Sequence, residues 1–376
     1  MQENLYLLFK FSLLYVRQKK VKFVKRKYLF IIHLIAILLL SMICGSYVFY
    51  VKKIKYKNTN IIRIEEGIGN QLYQYAFGYL LEKKYGMKVL YQNNINENDA
   101  RVWVRYGLDK FNINVKLFEP NFIEKFIIGK KKDINNLLLK DKILYAKNHD
   151  FKSFYLTYFD ASLLEGYEKD FQDMFLTLSP KYKNELDDKN KAMIKEMQSH
   201  KNSVVVNIRL GDFLYHPELN ICNFDYYKKA MKVFENMEDV HYYIFSDDIE
   251  GVKKYFKPNK PHTYVDVNPL EKPYLNLILS ASGKHNIISN STFAMWAAIL
   301  NRNPNKIVVC PNEYVRLNNQ NMVLEGERAY PKNWIRIDTT KDKPISAKEV
   351  DTELTGDMQK IKMEKQKNGA WTAVKK

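Results

Sequence analysis

The chain has 376 residues, 46% of them hydrophobic and 27% charged, which excludes a disordered polymer and is enough for two domains with sizeable cores. Sixty lysines and arginines against 42 acidic residues give a formal charge of +18, which suits a phosphorylated ligand, an acidic membrane face or nucleic acid, or reflects only a gene whose base composition favours Lys, Asn, Ile and Tyr. Three cysteines with no CxxC pair and no Cys/His cluster exclude a thiolate zinc site, and Cys222 and Cys310 permit at most one disulfide.

In chain order, residues 1–28 form a basic segment holding Arg17, Lys19, Lys20, Lys22, Lys25, Arg26 and Lys27. Leu29 to Val51 is an apolar run in which only His33 carries charge near neutral pH. At about 1.5 Å per residue it reaches across the ~30 Å core of a bilayer. The leader is long and no small-x-small cleavage site follows, so the run reads as an uncleaved anchor. The basic bias favours a cytoplasmic N-terminus, although Lys52, Lys53, Lys55 and Lys57 flank the other side. A Golgi membrane suits this layout in a eukaryote, and the inner membrane in a bacterium.

A short stem, residues 52–60, leads into a strand at Ile61–Ile64. Leu72, Tyr75, Ala76, Tyr79 and Leu80 share a face of a helix over Gln71–Tyr85, which Gly86 closes, and Met87–Tyr91 is a second strand. This is the opening of an alternating α/β fold. From Asn96 to Pro180 the pattern is less regular and aromatic-rich, with Lys130, Lys131 and Lys132 in a solvated loop. A charged helix over Lys181–Ser199 links a first domain, 61–199, to a second, 200–338. There the series alternates again: strand Val204–Ile208, helix Phe224–Met237, strand His241–Phe245, helix Ile249–Phe256, strand Thr263–Val267, helix Tyr274–Ser282, strand Asn286–Ser289, an amphipathic helix Thr292–Leu300 and strand Lys306–Cys310. That order predicts a doubly wound parallel sheet, with ligands at the carboxyl ends of its strands. Residues 339–376 read as a polar tail, helical in part and outside the core.

Several turns fall where such a sheet binds ligands. Gly67, Gly69, Asn70 and Gln71 follow the first strand. Two glycines there serve either a tight turn or a close backbone approach to an anion at a helix N-terminus. Asn207, Arg209, Gly211 and Asp212 end the strongest strand of the second series. Arg209 is able to fork onto a diphosphate, with Asp212 orienting it, or the two form a surface ion pair of little energetic worth. Ser246, Asp247 and Asp248 are placed to accept hydrogen bonds from a ribose or a guanine edge, or to cap a helix. Ser289, Asn290, Ser291, Thr292 and Phe293 run from strand into helix, as a ligand turn or as an ordinary cap. Asn290-Ser291-Thr292 is the single glycosylation sequon, poorly placed for a glycan.

Together these motifs resemble the alpha-1,2-fucosyltransferase family, glycosyltransferase family 11. The family's GGLGNQMFQYAFG stretch is matched by EGIGNQLYQYAFG (Glu66–Gly78), and its HxRRGDY by NIRLGDF (Asn207–Phe213). CNFDYYKKA (Cys222–Ala230), FSDDIE (Phe245–Glu250) and SNSTFAMWAAILN (Ser289–Asn301) complete the set, so the likeness spans Ile61 to Ile337. It implies a GT-B-like fold of two Rossmann-type domains, the second binding GDP-fucose. It also implies inverting transfer of fucose to the 2-hydroxyl of a galactose-ended glycan, with no metal or other cofactor required. Arg209 would grip the diphosphate, Asp212 would support that turn, and the Gly67 and Ser289 turns would line the cleft. Asn207 replaces the family's His, Leu210 its second Arg, Phe213 its Tyr and Glu66 its first Gly, which removes positive charge from the expected anion site.

Since the departing GDP takes the negative charge, the protein's main task is electrostatic. Glu66 and Asp212 are the carboxylates placed to take the acceptor's proton. Alternatives are another GDP-fucose linkage, protein O-fucosylation included, and a membrane-tethered glycan-binding protein with impaired catalysis. Nucleic-acid binding ranks last, because much of the charge flanks the anchor and no nucleic-acid module is present.

Overall fold

The computed structural model describes residues 23–99, 101–130, 132–135, 137–149, 151–156, 160–316, 328–345, 361–365 and 371–375. Residues 1–22, with Arg17, Lys19, Lys20 and Lys22, lie outside them, as do Lys131 and most of the tail. The chain divides into two compact units between Lys57 and Asn58.

The first unit is helix α1 (Phe23–Tyr50), continued by one wider π turn over Val51–Lys55. From Phe30 to Lys55 it is long and apolar enough to cross a membrane. Phe30, Ile32, Leu38 and Met42 are exposed on it, and in water each would forgo roughly 1.5–3 kcal/mol of burial. The stem is shorter than the sequence suggests, because helical winding reaches Lys55 and the first strand begins at Thr59.

The second unit opens with β1 (Thr59–Ile64), α2 (Ile68–Tyr85) and β2 (Lys88–Asn93). Ile61, Ile62 and Ile64 are fully buried, and β2 lies parallel to β1 with Ile61 opposite Leu90. Gly86 ends α2 in the left-handed region, φ 63°. The irregular middle resolves into α3 (Phe122–Ile128), β3 (Lys132–Asp133), α4 (Leu139–Asn148), β4 (Ser153–Tyr155) and α5 (Glu168–Phe175). Strands of two and three residues are too short to show a period. They complete a four-stranded sheet in the order β2-β1-β4-β3, parallel throughout.

After α6 (Asp188–Ser199), the second series forms β5 (Asn202–Ile208), α7 (Phe224–Met231), β6 (Val240–Ser246), α8 (Ile249–Tyr255), β7 (His262–Tyr264), α9 (Pro273–Ser280), β8 (His285–Ile287), α10 (Thr292–Leu300), β9 (Val308–Pro311) and β10 (Ile335–Ile337). The sheet runs β10-β9-β8-β5-β6-β7, again all parallel. From β5 the chain winds outward through β6 and β7, then returns to β8 and winds the other way. The point where the direction reverses lies between β5 and β8, where doubly wound sheets bind nucleotides.

Helix α10 differs from expectation. Ala294 through Leu300 are all buried, so it is apolar all round and not amphipathic. Trp296 meets Phe171 and Phe175 of α5 edge-on at 5.7 and 5.2 Å. Its indole N–H donates to Gly69 O of α2 at 3.0 Å. One hydrophobic cluster therefore runs through both sheets. The tail is not all solvent either. Ile345 joins the core beneath β5 and β6, held by the Asn220 amide at 2.7 Å, and 361–365 pairs antiparallel with 371–375 as a hairpin, where partial helix was expected.

Cys222 and Cys310 are buried and free, while Cys44 is exposed. Burial pushes the Cys310 thiol up to about 12, and that of Cys222 well up too. In the folded chain at pH 8, iodoacetamide followed by mass spectrometry should leave Cys222 and Cys310 unmodified, and should modify both only after denaturation. Modification of native Cys222 would contradict this packing.

Candidate active site

The carboxyl ends of β1, β5, β6 and β8 open on one cavity of about 710 Å³, within the roughly 300–1,000 Å³ of small-molecule sites. Every residue singled out from the sequence lines it except Gln71 and Gly211. Gln71 is fully buried and braces loops. Its amide donates to Glu66 O at 2.8 Å and Arg105 O at 2.7 Å, and its carbonyl accepts the Gly107 N–H at 2.9 Å. Gly211 lies in the backbone of the turn after Arg209, with φ 20°.

Arg209 sits just past β5, beside the reversal point. One guanidinium nitrogen donates to Asp212 Oδ1 at 2.8 Å, and another lies 2.9 Å from Asp247 Oδ2. The rings of Trp103 and Phe213 flank it at 5.4 and 4.9 Å, a geometry that favours a cation. Its Nε is buried without an acceptor. Burial works against the charge, and the two aspartates outweigh it and hold Arg209 protonated. Burial pushes the Asp247 carboxyl up against the pull of Arg209. The surface-pair alternative thus fails at Arg209, whose carboxylate partners are themselves buried.

The other turns divide between ligand and scaffold. Asp248 caps α8, accepting the Gly251 N–H at 3.1 Å, and Ser246 Oγ accepts the Asp248 N–H at 3.0 Å. Asn290 is a tie, its amide donating to Leu219 O and Tyr314 O at 2.9 Å each, and its burial closes the sequon to glycosylation. Ser291 stands at the N-cap of α10 but makes no capping bond, so that helix start opens on the cavity with its donors uncapped by a side chain. Asn207 donates to Ser280 Oγ at 3.3 Å, and its carbonyl oxygen is buried without a partner.

The two glycines differ in kind. A Cβ at Gly69 would lie 2.4 Å from the Phe293 nitrogen and 2.7 Å from Thr292, so glycine there lets α2 touch α10. A Cβ at Gly67 would meet only Trp103 Cδ1, at 3.7 Å. No contact within the protein requires that glycine, and it faces the cavity. Glu66, where the family carries glycine, adopts φ 67°, a strained conformation for a side chain.

Sequence reasoning missed Arg101, Trp103 and His216, all in the lining. Arg101 is held by Asp99 at 3.0 Å and lies 3.2 Å from Glu66. Burial opposes its charge, but Asp99 and Glu66 raise its pKa all the same. Conversely, burial alone would raise the Asp99 carboxyl, and the bonds from Arg101 bring it below the usual value. Arg101 reaches the field of Arg209 and Asp212 from the loop after β2. The signal was present as Arg-Val-Trp-Val-Arg at 101–105, two cations around an aromatic, but in a stretch without periodicity.

Glycosyl transferase family 11 matches residues 30–338 of the chain. The O-antigen biosynthesis glycosyltransferase WbnK of Escherichia coli is 30% identical over 68% of this chain and 94% of its own. An alpha-1,2-colitosyltransferase of Escherichia coli is 25% identical over 74% and 98%. Among solved structures, the fucosyltransferase NodZ from Bradyrhizobium aligns at TM-score 0.38 and 12% identity over 64% of this chain and 91% of its own. A variant of Arabidopsis thaliana FUT1 bound to GDP aligns at 0.40 and 10% over 71% and 73%. The family match and the two Escherichia coli relatives make this α/β protein a glycosyltransferase. The chain belongs to glycosyl transferase family 11.

Proposed function

We propose that this chain transfers L-fucose from GDP-fucose, with inversion, to the 2-hydroxyl of a terminal galactose-type sugar. The observation that carries this reading is Arg209, held charged at the reversal point of a nucleotide-type sheet, with the N-terminus of α10 opening on the same cavity. Residues 200–338 take the nucleotide, 61–199 face the acceptor, and residues 29–51 tether the enzyme to a membrane. The Escherichia coli relatives favour a bacterial inner membrane over a Golgi one.

As the bond from fucose C1 to the diphosphate breaks, the charge passes to the leaving oxygen. Arg209 and the α10 N-terminus stabilise it there. Arg101 supplies a second cation in place of the arginine that Leu210 lacks. The acceptor hydroxyl attacks C1 from the opposite face and gives up its proton to a carboxylate. Glu66 fits that role better than Asp212. Both are paired with an arginine, but Glu66 is 36% exposed and faces the cavity, while Asp212 is 10% exposed. Ser246, Asp247, Ser289 and Ser291 lie where the nucleoside would sit. The relative that is an alpha-1,2-colitosyltransferase supports the 1,2 linkage and leaves a second donor sugar as the alternative.

The test is product analysis. The full chain in nanodiscs, given GDP-fucose and galactose-ended oligosaccharides, should release GDP and yield an α1,2-linked fucose by methylation analysis. Another linkage would refute the acceptor assignment, and turnover only with another nucleotide sugar would refute the donor.

A further inference from the structure

Among the described residues outside α1, the two most exposed large apolar side chains are Phe122 and Phe126, at 85% and 82%. Both belong to α3, four residues apart and therefore on one face. Ile127 and Ile128 are buried on the opposite side. The helix is held firmly, since Asn121 and Glu124 form a reciprocal capping box at 2.9 and 3.0 Å. The rings are thus presented on a built element. Ile123 and Leu117 are exposed as well, and Lys125, Lys130 and Lys132 are exposed in the same stretch of chain. Aromatic rings interleaved with lysines are the signature of a surface that lies in the headgroup region of a bilayer.

The position of α3 in the sheet gives the patch its meaning. Lys152 Nζ donates to Ile127 O and Ile128 O at 3.2 Å each, which fastens the end of α3 to the residue just before β4. Next to it, Phe151 N–H donates to Thr59 O, the first residue of β1, at 2.7 Å. Because all strands of this sheet are parallel, α3 is tied to the amino edge, and the turn at Glu66–Asn70 leaves the carboxyl edge. Only Tyr56, Lys57 and Asn58 separate Lys55 from Thr59, at most about 15 Å of extended chain. The chain from the apolar helix thus enters this sheet at its amino edge.

We infer that Phe122 and Phe126, with Lys125, Lys130 and Lys132, form a second membrane contact that seats on an anionic bilayer surface and turns the cavity away from it. This rests on the membrane reading of α1. Exposed rings and exposed ammonium groups, on the edge the tether enters, fit one lipid surface by both burial and charge.

Spin labels on the full chain in phosphatidylglycerol-containing vesicles test it, in a Cys44→Ser background that leaves only the buried Cys222 and Cys310. Labels go at Phe126→Cys, at Leu38→Cys to read the anchor, and at Lys228→Cys as an exposed control. At Phe126 the ratio of oxygen to nickel collisions should be about fivefold that at Lys228, falling when the vesicles are neutral. A Phe126 label as open to nickel as Lys228, with Leu38 in lipid, overturns the patch and leaves the anchor standing. Leu38 open to nickel removes the anchor and the patch with it. Dipolar broadening between Phe126 labels would overturn the proposal in favour of a contact between two copies of the chain.

Discussion

Replacing Arg209 by alanine should lower the transfer rate by about 10²–10³, the usual loss when a group that stabilises developing negative charge is removed. The fold will not be indifferent to the change. Arg209 is paired with Asp212 and Asp247, whose side chains are 10% and 6% exposed, and deleting the cation strands two buried carboxylates. Breaking a buried pair from one side costs about 3–5 kcal/mol. The sign with pH follows from Asp247, whose carboxyl is already pushed up by burial. A carboxyl that binds its proton more tightly folded than unfolded loses stability as pH rises from its unfolded value through its folded one. The Arg209→Ala chain should therefore be least stable relative to wild type at neutral pH and recover toward acid, as thermal melts across pH 4 to 8 would read. Arg209→Lys separates the two roles. It keeps the charge beside the aspartates but loses the planar fork, so it should melt nearer to wild type and still turn over poorly. Full activity in the lysine variant would mean that charge alone matters there.

The second large effect is expected at Gly69. Alanine there places a methyl 2.4 Å from the Phe293 backbone nitrogen, and backbone at the start of a packed helix has little room to retreat. Such overpacking costs about 1–3 kcal/mol or more, a fall in melting temperature of roughly 2–5 °C for a unit of this size. Because α2 and α10 both begin at the cavity, forcing them apart should also reduce turnover. Gly67→Ala is the matched control. Its methyl meets only Trp103 Cδ1, at 3.7 Å, so the melt should not move. If substrate passes close to Gly67, the Michaelis constant should rise nonetheless. A normal melt for Gly69→Ala would contradict the packing of these helices.

Local pattern made much of this legible. The strands before Glu66 and Arg209 are β-branched runs, and the turns that follow carry glycine, arginine and hydroxyl residues in the family's order. The reversal of the second sheet followed from the alternation of strands and helices, which parallel connections restrict to few topologies. Where the reading fell short, the partners were distant in sequence. Gly69 and Trp296 bond across 227 positions, so the helix contact that gives Gly69 its purpose leaves no local trace, and the serine-rich start of α10 looked like any cap. Gln71 resembled a site residue because it follows the turn, yet its three bonds brace the chain at Glu66 and at Arg105–Gly107.

What the amino-acid order alone determined is the family, the alternating α/β class, the apolar run fit to cross a membrane and the arginine at the end of β5, since each is written in neighbouring residues. Tertiary structure alone decided that Arg101 and Trp103 come from the loop after β2 to face Arg209, that α10 is sealed into a core shared by both sheets, and that Asp247 pairs with Arg209 while Asp248 caps a helix. Charge and packing act through space, and a guanidinium is tuned by whichever carboxylates folding brings within about 3 Å of it.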